Sequence, residues 1–139
     1  MIARYTRPEM GAIWSDENKY RQWLEVELAS SEALAEMGVV PAEAAAALRR
    51  HAGFTVARIA EIEDVVRHDI IAFTTCVAET MKVAGAGDAS RWFHYGMTSN
   101  DVVDTAQALQ VKQSAARIRQ QAEELAAVLK ERAFEFKDA

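Results

Sequence analysis

Arg91, His94, Thr98 and Ser99 lie close together and lead into Asn100, Asp101, Val102, Val103 and Asp104, where a long helical pattern begins. The segment offers a cation, a titratable imidazole and two hydroxyls at a helix entrance. Serine and threonine at such a position accept hydrogen bonds from the free N–H groups of the first turn. That turn also carries a positive partial charge and can hold an anion. Two readings stand side by side. One is a capped helix start with Asp101 and Asp104 balancing the dipole. The other is a small-anion site. Two further clusters have similar chemistry: Arg67, His68 and Asp69, and, near the start of the chain, Arg4 with Tyr5. Taken together, guanidinium groups, imidazoles, hydroxyls and a helix N-terminus suit a ligand carrying carboxylate or phosphate. No metal site is expected, because His51, His68 and His94 are far apart and lack ligand spacing. Neither a glycine-rich phosphate loop nor a Ser–His–Asp order is present.

Helices must position these groups. Ala, Glu, Leu and Arg dominate the composition, while six glycines and two prolines leave little room for many reverse turns. The expected fold is all-α. Met1 to Trp14 has no clear period and reads as an extended arm carrying Arg4 and Tyr5. Ser15 reads as an N-cap, with Asp16 and Glu17 in the first turn of a helix that runs to Met37 and stops at Gly38. Its apolar residues fall on two faces: Tyr20, Leu24, Leu28, Ser31 and Leu34 on one, Trp23, Val26, Ala33 and Met37 on the other. Pro41 opens a short alanine-rich helix that ends near His51 to Gly53. Phe54 and Thr55 start a helix with a stripe of Val56, Ile59, Ile62 and Val66.

Asp69 is then expected to cap a further helix bearing Ile70, Phe73, Thr74, Val77 and Met81, which places Arg67 and His68 at a helix junction. The bland alternative pairs Arg67 with Asp64 or Asp69 and lets His68 fill a gap. Ala84 to Ser90 reads as a loop. Residues 1–97 are therefore expected to form an N-terminal helical domain, and residues 98–139 the first part of a long helix.

That last helix has a particular pattern. Ala108, Ala115, Ala122, Leu129 and Phe136 recur every seventh residue, and Val111, Ile118 and Leu125 form a second series three residues on. This is an a/d seam. At 1.5 Å per residue the helix would be about 55 Å long, more than the rest of the chain can cover. The seam is expected to bury itself against other helices, from another subunit or from further chain. The sequence reads as the N-terminal piece of a larger protein.

Composition excludes several classes. The 139 residues suffice for one cored domain, with 50% hydrophobic and 27% charged residues. A net charge of −5 with no basic block argues against nucleic acid. Cys76 is a single thiol in an apolar run, which fits a reducing compartment. No signal-peptide core follows Met1 and no apolar run is long enough to span a bilayer, so a cytoplasmic protein without membrane contact is expected.

Several motifs in order carry a resemblance. They are Arg4-Tyr5 with Pro8-Glu9-Met10; Ile13-Trp14-Ser15-Asp16-Glu17-Asn18-Lys19; Trp23-Leu24-Glu25-Val26-Glu27; Arg58-Ile59 with Glu61-Ile62-Glu63; Arg67-His68-Asp69-Ile70-Ile71-Ala72-Phe73-Thr74; and His94-Tyr95-Gly96-Met97-Thr98-Ser99-Asn100-Asp101-Val102-Val103-Asp104-Thr105. The chain resembles, over essentially its whole length, the N-terminal part of the adenylosuccinate lyase family within the fumarase/aspartase superfamily. The Thr-Ser-x-Asp block is shared with sister lyases and a muconate cycloisomerase; the opening Arg-Tyr pair points to the purine-pathway family.

The resemblance implies β-elimination of fumarate from adenylosuccinate, giving AMP, and from the succinylated imidazole-carboxamide nucleotide of purine biosynthesis. It implies that Arg4 and Tyr5 bind the nucleotide at its phosphate end. Arg67, His68, Asp69, Thr98 and Ser99 would line the substrate site, with His94 close by as a hydrogen-bond or phosphate partner. His68 could assist proton transfer or act in positioning. The family needs no cofactor and is tetrameric, its sites built from several subunits around a bundle of long helices. Its general-acid histidine lies just past the position of Ala139 and its base serine further on. The segment by itself is therefore expected to be inactive. A sister enzyme such as a carboxymuconate cycloisomerase, and a non-catalytic helical oligomerisation module, remain the alternatives.

Overall fold

Ser15 accepts a hydrogen bond from the Asn18 N–H and so caps the helix on which the others pack. The computed structural model describes residues 2–138, and all regular structure among them is helical. Six α-helices follow one another: α1 (Pro8–Ile13), α2 (Asp16–Glu36), α3 (Ala42–His51), α4 (Val56–Val66), α5 (Asp69–Val83) and α6 (Ser99–Glu135). Helix α2 contacts α1, α3, α4 and α6, and α4 lies along α5.

Most helix starts and stops follow the local chemistry. Gly38, at φ 75°, takes the left-handed turn that ends α2, and the Val39 N–H bonds back to the Leu34 carbonyl. Pro41 precedes α3, and Thr55 takes the extended N-cap conformation of α4.

Three expectations are corrected. Met1 to Trp14 is not an extended arm in its described part: a 3-10 turn covers Ala3–Tyr5, and Pro8 occupies the first position of α1. Six residues are too few to show a period, but proline at the first helical position is a start signal in its own right. Gly87–Trp92 is likewise a 3-10 helix inside what reads as a loop. The cap of α5 is His68, whose Nδ1 accepts from the Ile71 N–H at 3.5 Å; Asp69 instead accepts from the Ile70 N–H within the first turn.

The core is an aromatic cluster around the fully buried Phe73. Tyr20 stacks on it with centroids 5.8 Å apart, and Trp23 meets it edge-on at 5.5 Å. Phe54 and Phe93 close the cluster at 6.1 and 5.9 Å. Such pairs add about 0.5–1.5 kcal/mol each beyond their burial. Of the two faces read on α2, Trp23 is buried but Met37 stands exposed at the C-cap, beyond the reach of the core.

Helix α6 meets the rest of the chain along Val102, Ala106, Gln110 and Ser114, spaced by fours. Lower on this face the contact becomes polar: Gln110 and Asn18 both donate to the Ile13 carbonyl at 2.8 Å, taking up an acceptor left free at the end of α1. The heptad seam lies elsewhere. Val111, Ile118, Leu125, Leu129 and Phe136 are each at least half exposed.

Candidate functional site

Positive φ at a residue other than glycine is uncommon and costs about 1–2 kcal/mol. Among the described residues it occurs at two places, Arg67 (φ 56°) and His94 (φ 60°). Both belong to the clusters that the sequence offers as candidate sites, at a helix junction and before a helix entrance. Strain of this kind persists only where surrounding contacts over-determine it, and it clusters at functional sites.

At His94 the contacts are evident. The loop after Trp92 lies against α2. There the Glu27 carboxylate, fully buried, accepts from the His94 backbone N–H at 2.9 Å and sits 2.6 Å from His94 Nδ1. One turn along, the buried Ser31 hydroxyl reaches the Trp92 carbonyl at 3.5 Å. Burial pushes the Glu27 carboxyl above its ordinary range, and the bonds from His94 offset only part of that rise. Glu27 was missed as a site residue. Its signal was present: it falls four residues after Trp23 and four before Ser31, an acid in the middle of the buried stripe of α2.

The loop then turns at Gly96, φ 73°, and enters α6. Thr98 is the N-cap, and Asp101 closes a capping box with it. Asp101 accepts from the Thr98 N–H at 2.7 Å and from its hydroxyl at 2.9 Å. These bonds hold the Asp101 carboxyl below the usual range, the backbone N–H contributing most. A carboxyl with a depressed folded pKa contributes stability above its unfolded pKa and loses it as the pH falls through the folded value. Asp101→Asn is therefore expected to lower the melting temperature near neutrality, with the deficit shrinking as the medium is acidified below about pH 4. Melting curves across that range check it; a deficit independent of pH contradicts it.

Ser99 is the first helical residue, half-buried, and its hydroxyl makes no hydrogen bond among the described residues. The capping work falls to Thr98. Arg91 lies with its guanidinium over the Trp92 ring, 5.4 Å from the centroid.

The junction at residues 67–69 is open to solvent. Arg67 ends α4 in the left-handed conformation, with only a 3.8 Å contact to the exposed Asp64. Its head is available to a ligand, since such a surface pair contributes little. His68 and Asp69 are each roughly half exposed at the start of α5. One turn into α5, Phe73 packs on Phe93, the residue before His94. The entrances of α5 and α6 are thus tied through one aromatic contact.

Arg4 and Tyr5 do not join them within the chain. The Arg4 guanidinium lies 4.8 Å from the Tyr5 ring centroid. Tyr5 lines a cavity of about 330 Å³ with Arg7, Glu9, Arg117, Ile118 and Gln121. Arg117 is eighteen residues beyond Ser99, about 27 Å along α6. Among the described residues no group of three histidine, cysteine, aspartate or glutamate side chains is arranged to hold a metal ion. Among the described residues no helix is long and apolar enough to cross a membrane.

A family described as Lyase matches residues 3–139. Adenylosuccinate lyase of Streptococcus mutans serotype c is 48% identical over 137 residues, which is 99% of this chain and 31% of that protein. The adenylosuccinate lyases of Bacillus subtilis (strain 168) and Staphylococcus saprophyticus are 47% and 44% identical over the same span. The chain therefore spans about a third of the length of the curated relatives it matches. Among solved structures, a fumarate lyase from Mesorhizobium sp. BNC1 superposes with a TM-score of 0.70 at 29% identity, covering 82% of this chain and 26% of that one. With a match across nearly every residue and an all-helical fold that superposes on a fumarate lyase, the chain belongs to the lyase family.

Proposed function

We propose that the chain is the substrate-binding N-terminal part of an adenylosuccinate lyase, a cytoplasmic enzyme of purine biosynthesis that eliminates fumarate from adenylosuccinate and from the succinylated imidazole-carboxamide nucleotide. The 48% identity to one such enzyme across 99% of the chain carries this reading. The substrate bears carboxylates and a phosphate. Elimination removes a proton from the succinyl carbon next to the one bearing nitrogen, breaks the C–N bond, and builds negative charge as it proceeds. Preorganised donors aimed at that charge are the usual large contribution to rate.

The residues that line the substrate site in this reading are Arg67, His68 and Asp69 at the α5 entrance, and His94, Thr98 and Ser99 at the α6 entrance; among them Arg67 and the hydroxyls are the donors that can face the developing charge. The Thr98 hydroxyl is committed to Asp101, which leaves Ser99 as the freer donor. His68 acts in positioning, its Nδ1 facing the Ile71 N–H. Arg4 and Tyr5 grip the nucleotide. Their distance from Ser99 along α6 supports a site composed from different copies of the chain. Residues 98–139 would then be the first part of a helix in a tetrameric bundle, and residues 1–97 the helical domain that presents the substrate-binding loops. Turnover would require acid and base groups from outside this segment.

The test is a chimera. Residues 1–139 replace the matching segment of the Bacillus subtilis relative, and cleavage of adenylosuccinate is followed by absorbance. Activity within about tenfold of the parent is the expected result, a penalty near 1.4 kcal/mol. A folded, assembled chimera that fails to cleave adenylosuccinate overturns the reading.

A further inference from the structure

Glu27 is the one fully buried charged side chain among the described residues, and both of its oxygens are turned to a single partner, His94. An ionised carboxylate only accepts, so two donors must face it. The backbone N–H of His94 is one. The other, 2.6 Å away, is Nδ1, and it fills that role only when it carries the proton. The same two bonds hold His94 at φ 60°, a conformation the loop would otherwise leave. Nδ1 faces a group of 0% exposure, while 24% of the His94 side chain reaches solvent and Nε2 makes no hydrogen bond among the described residues.

We propose that Glu27 is a positioning residue: it fixes the proton of His94 on Nδ1 and so leaves Nε2, on the open edge, as the atom that accepts from or exchanges a proton with whatever binds at the α6 entrance. The proposal rests on the lyase reading in one respect, that the α6 entrance is where substrate binds. It assigns a role to a residue on another helix, 67 positions earlier in the chain.

Glu27→Gln makes the idea sharp. A glutamine has the shape of the carboxylate but offers one acceptor and one donor. The backbone N–H of His94 cannot change its polarity, so it takes the amide oxygen. The amide NH2 is left facing Nδ1, which must then become an acceptor. The ring proton moves to Nε2, and the open edge is reversed from acceptor to donor.

The experiment is 15N spectroscopy of the full chain labelled at its histidines. There are three, and the His94 signals are identified by their loss in His94→Gln. The expected result is a protonated Nδ1 in the unsubstituted protein and a protonated Nε2 with bare Nδ1 in Glu27→Gln. A bare Nδ1 in the unsubstituted protein, with the proton on Glu27 instead, overturns the proposal, and that measurement does not depend on Glu27→Gln folding. An unchanged tautomer in folded Glu27→Gln overturns it equally.

In the chimeric lyase, Glu27→Gln is expected to lower kcat/KM about ten- to a hundredfold, the scale seen where a carboxylate orients a metal-bound imidazole. Unaltered kcat/KM with a reversed tautomer would refute the link to binding. A chimera inactive before any substitution would refute the lyase reading alone, because the tautomer is read without turnover.

Discussion

Replacing Ile118 and Leu125 together with glutamate is expected to convert an assembling chain into a monomer. Both lie on the heptad seam of α6 and are 60% and 59% exposed in the single chain, with Leu129 and Phe136 continuing the same face. A solvated seam of that length does not persist in solution, because each such side chain contributes about 1.5–3 kcal/mol when buried. In a helix pair the double substitution acts in both members. Four losses come to about 6 kcal/mol at the low end, roughly four decades in association constant. Forcing carboxylates into an apolar contact adds to this. Gln120→Glu with Ala127→Glu adds the same charge on the opposite face of the helix and serves as the control. Light scattering should give a multiple of 15.4 kDa for the unsubstituted chain and for the control, and 15.4 kDa for the seam variant. A monomeric unsubstituted chain, or equal dissociation of the control, would show that the seam is not an interface.

The same seam shows what a sequence makes legible. A period of seven over four turns or more is a property of neighbouring residues, so it can be read without knowing the partner. Helix boundaries set by Ser15, Gly38, Pro41 and Thr55 were legible for the same reason: caps act over three or four residues. The junction of Arg67 to Asp69 was legible as a break in an apolar stripe. Its cap lies one residue before the expected Asp69, because the His68 imidazole supplies the acceptor at a position where aspartate is the commoner residue. Helix α1 escaped because six residues cannot display a period.

Glu27 escaped for a different reason. Its partner lies 67 residues away, and only the folded chain brings a carboxylate on α2 under the loop that carries His94. Long-range polar pairing leaves at most a trace in sequence, here an acid placed between Trp23 and Ser31 where an apolar residue belongs. The separation of Arg4 and Tyr5 from the α6 entrance was likewise invisible, since motif order along a chain carries no distance.

Ser99→Ala, in the lyase that carries this segment, separates the two readings with which the α6 entrance began. If Ser99 serves the helix, its loss costs about 0.5–2 kcal/mol of stability and leaves turnover of the folded enzyme nearly unchanged. If it donates to a substrate carboxylate, its loss removes about 1.5–3 kcal/mol of interaction, or roughly ten- to a hundredfold in kcat/KM. The geometry favours the second. Thr98 occupies the N-cap and Asp101 completes the box, so the helix start is closed without Ser99. The Ser99 hydroxyl has no acceptor among the described residues, and it sits in the first turn, where N–H groups and the helix dipole favour an anion. The expected result is a melting temperature close to that of the unsubstituted enzyme and a fall of ten- to a hundredfold or so in kcat/KM. Thr98→Ala should behave in the opposite sense, losing about 0.5–2 kcal/mol of stability with the smaller kinetic effect. Steady-state kinetics and a melting curve on the same two preparations decide between them. Normal kcat/KM with a lowered melting temperature for Ser99→Ala would make this entrance a helix cap and nothing more.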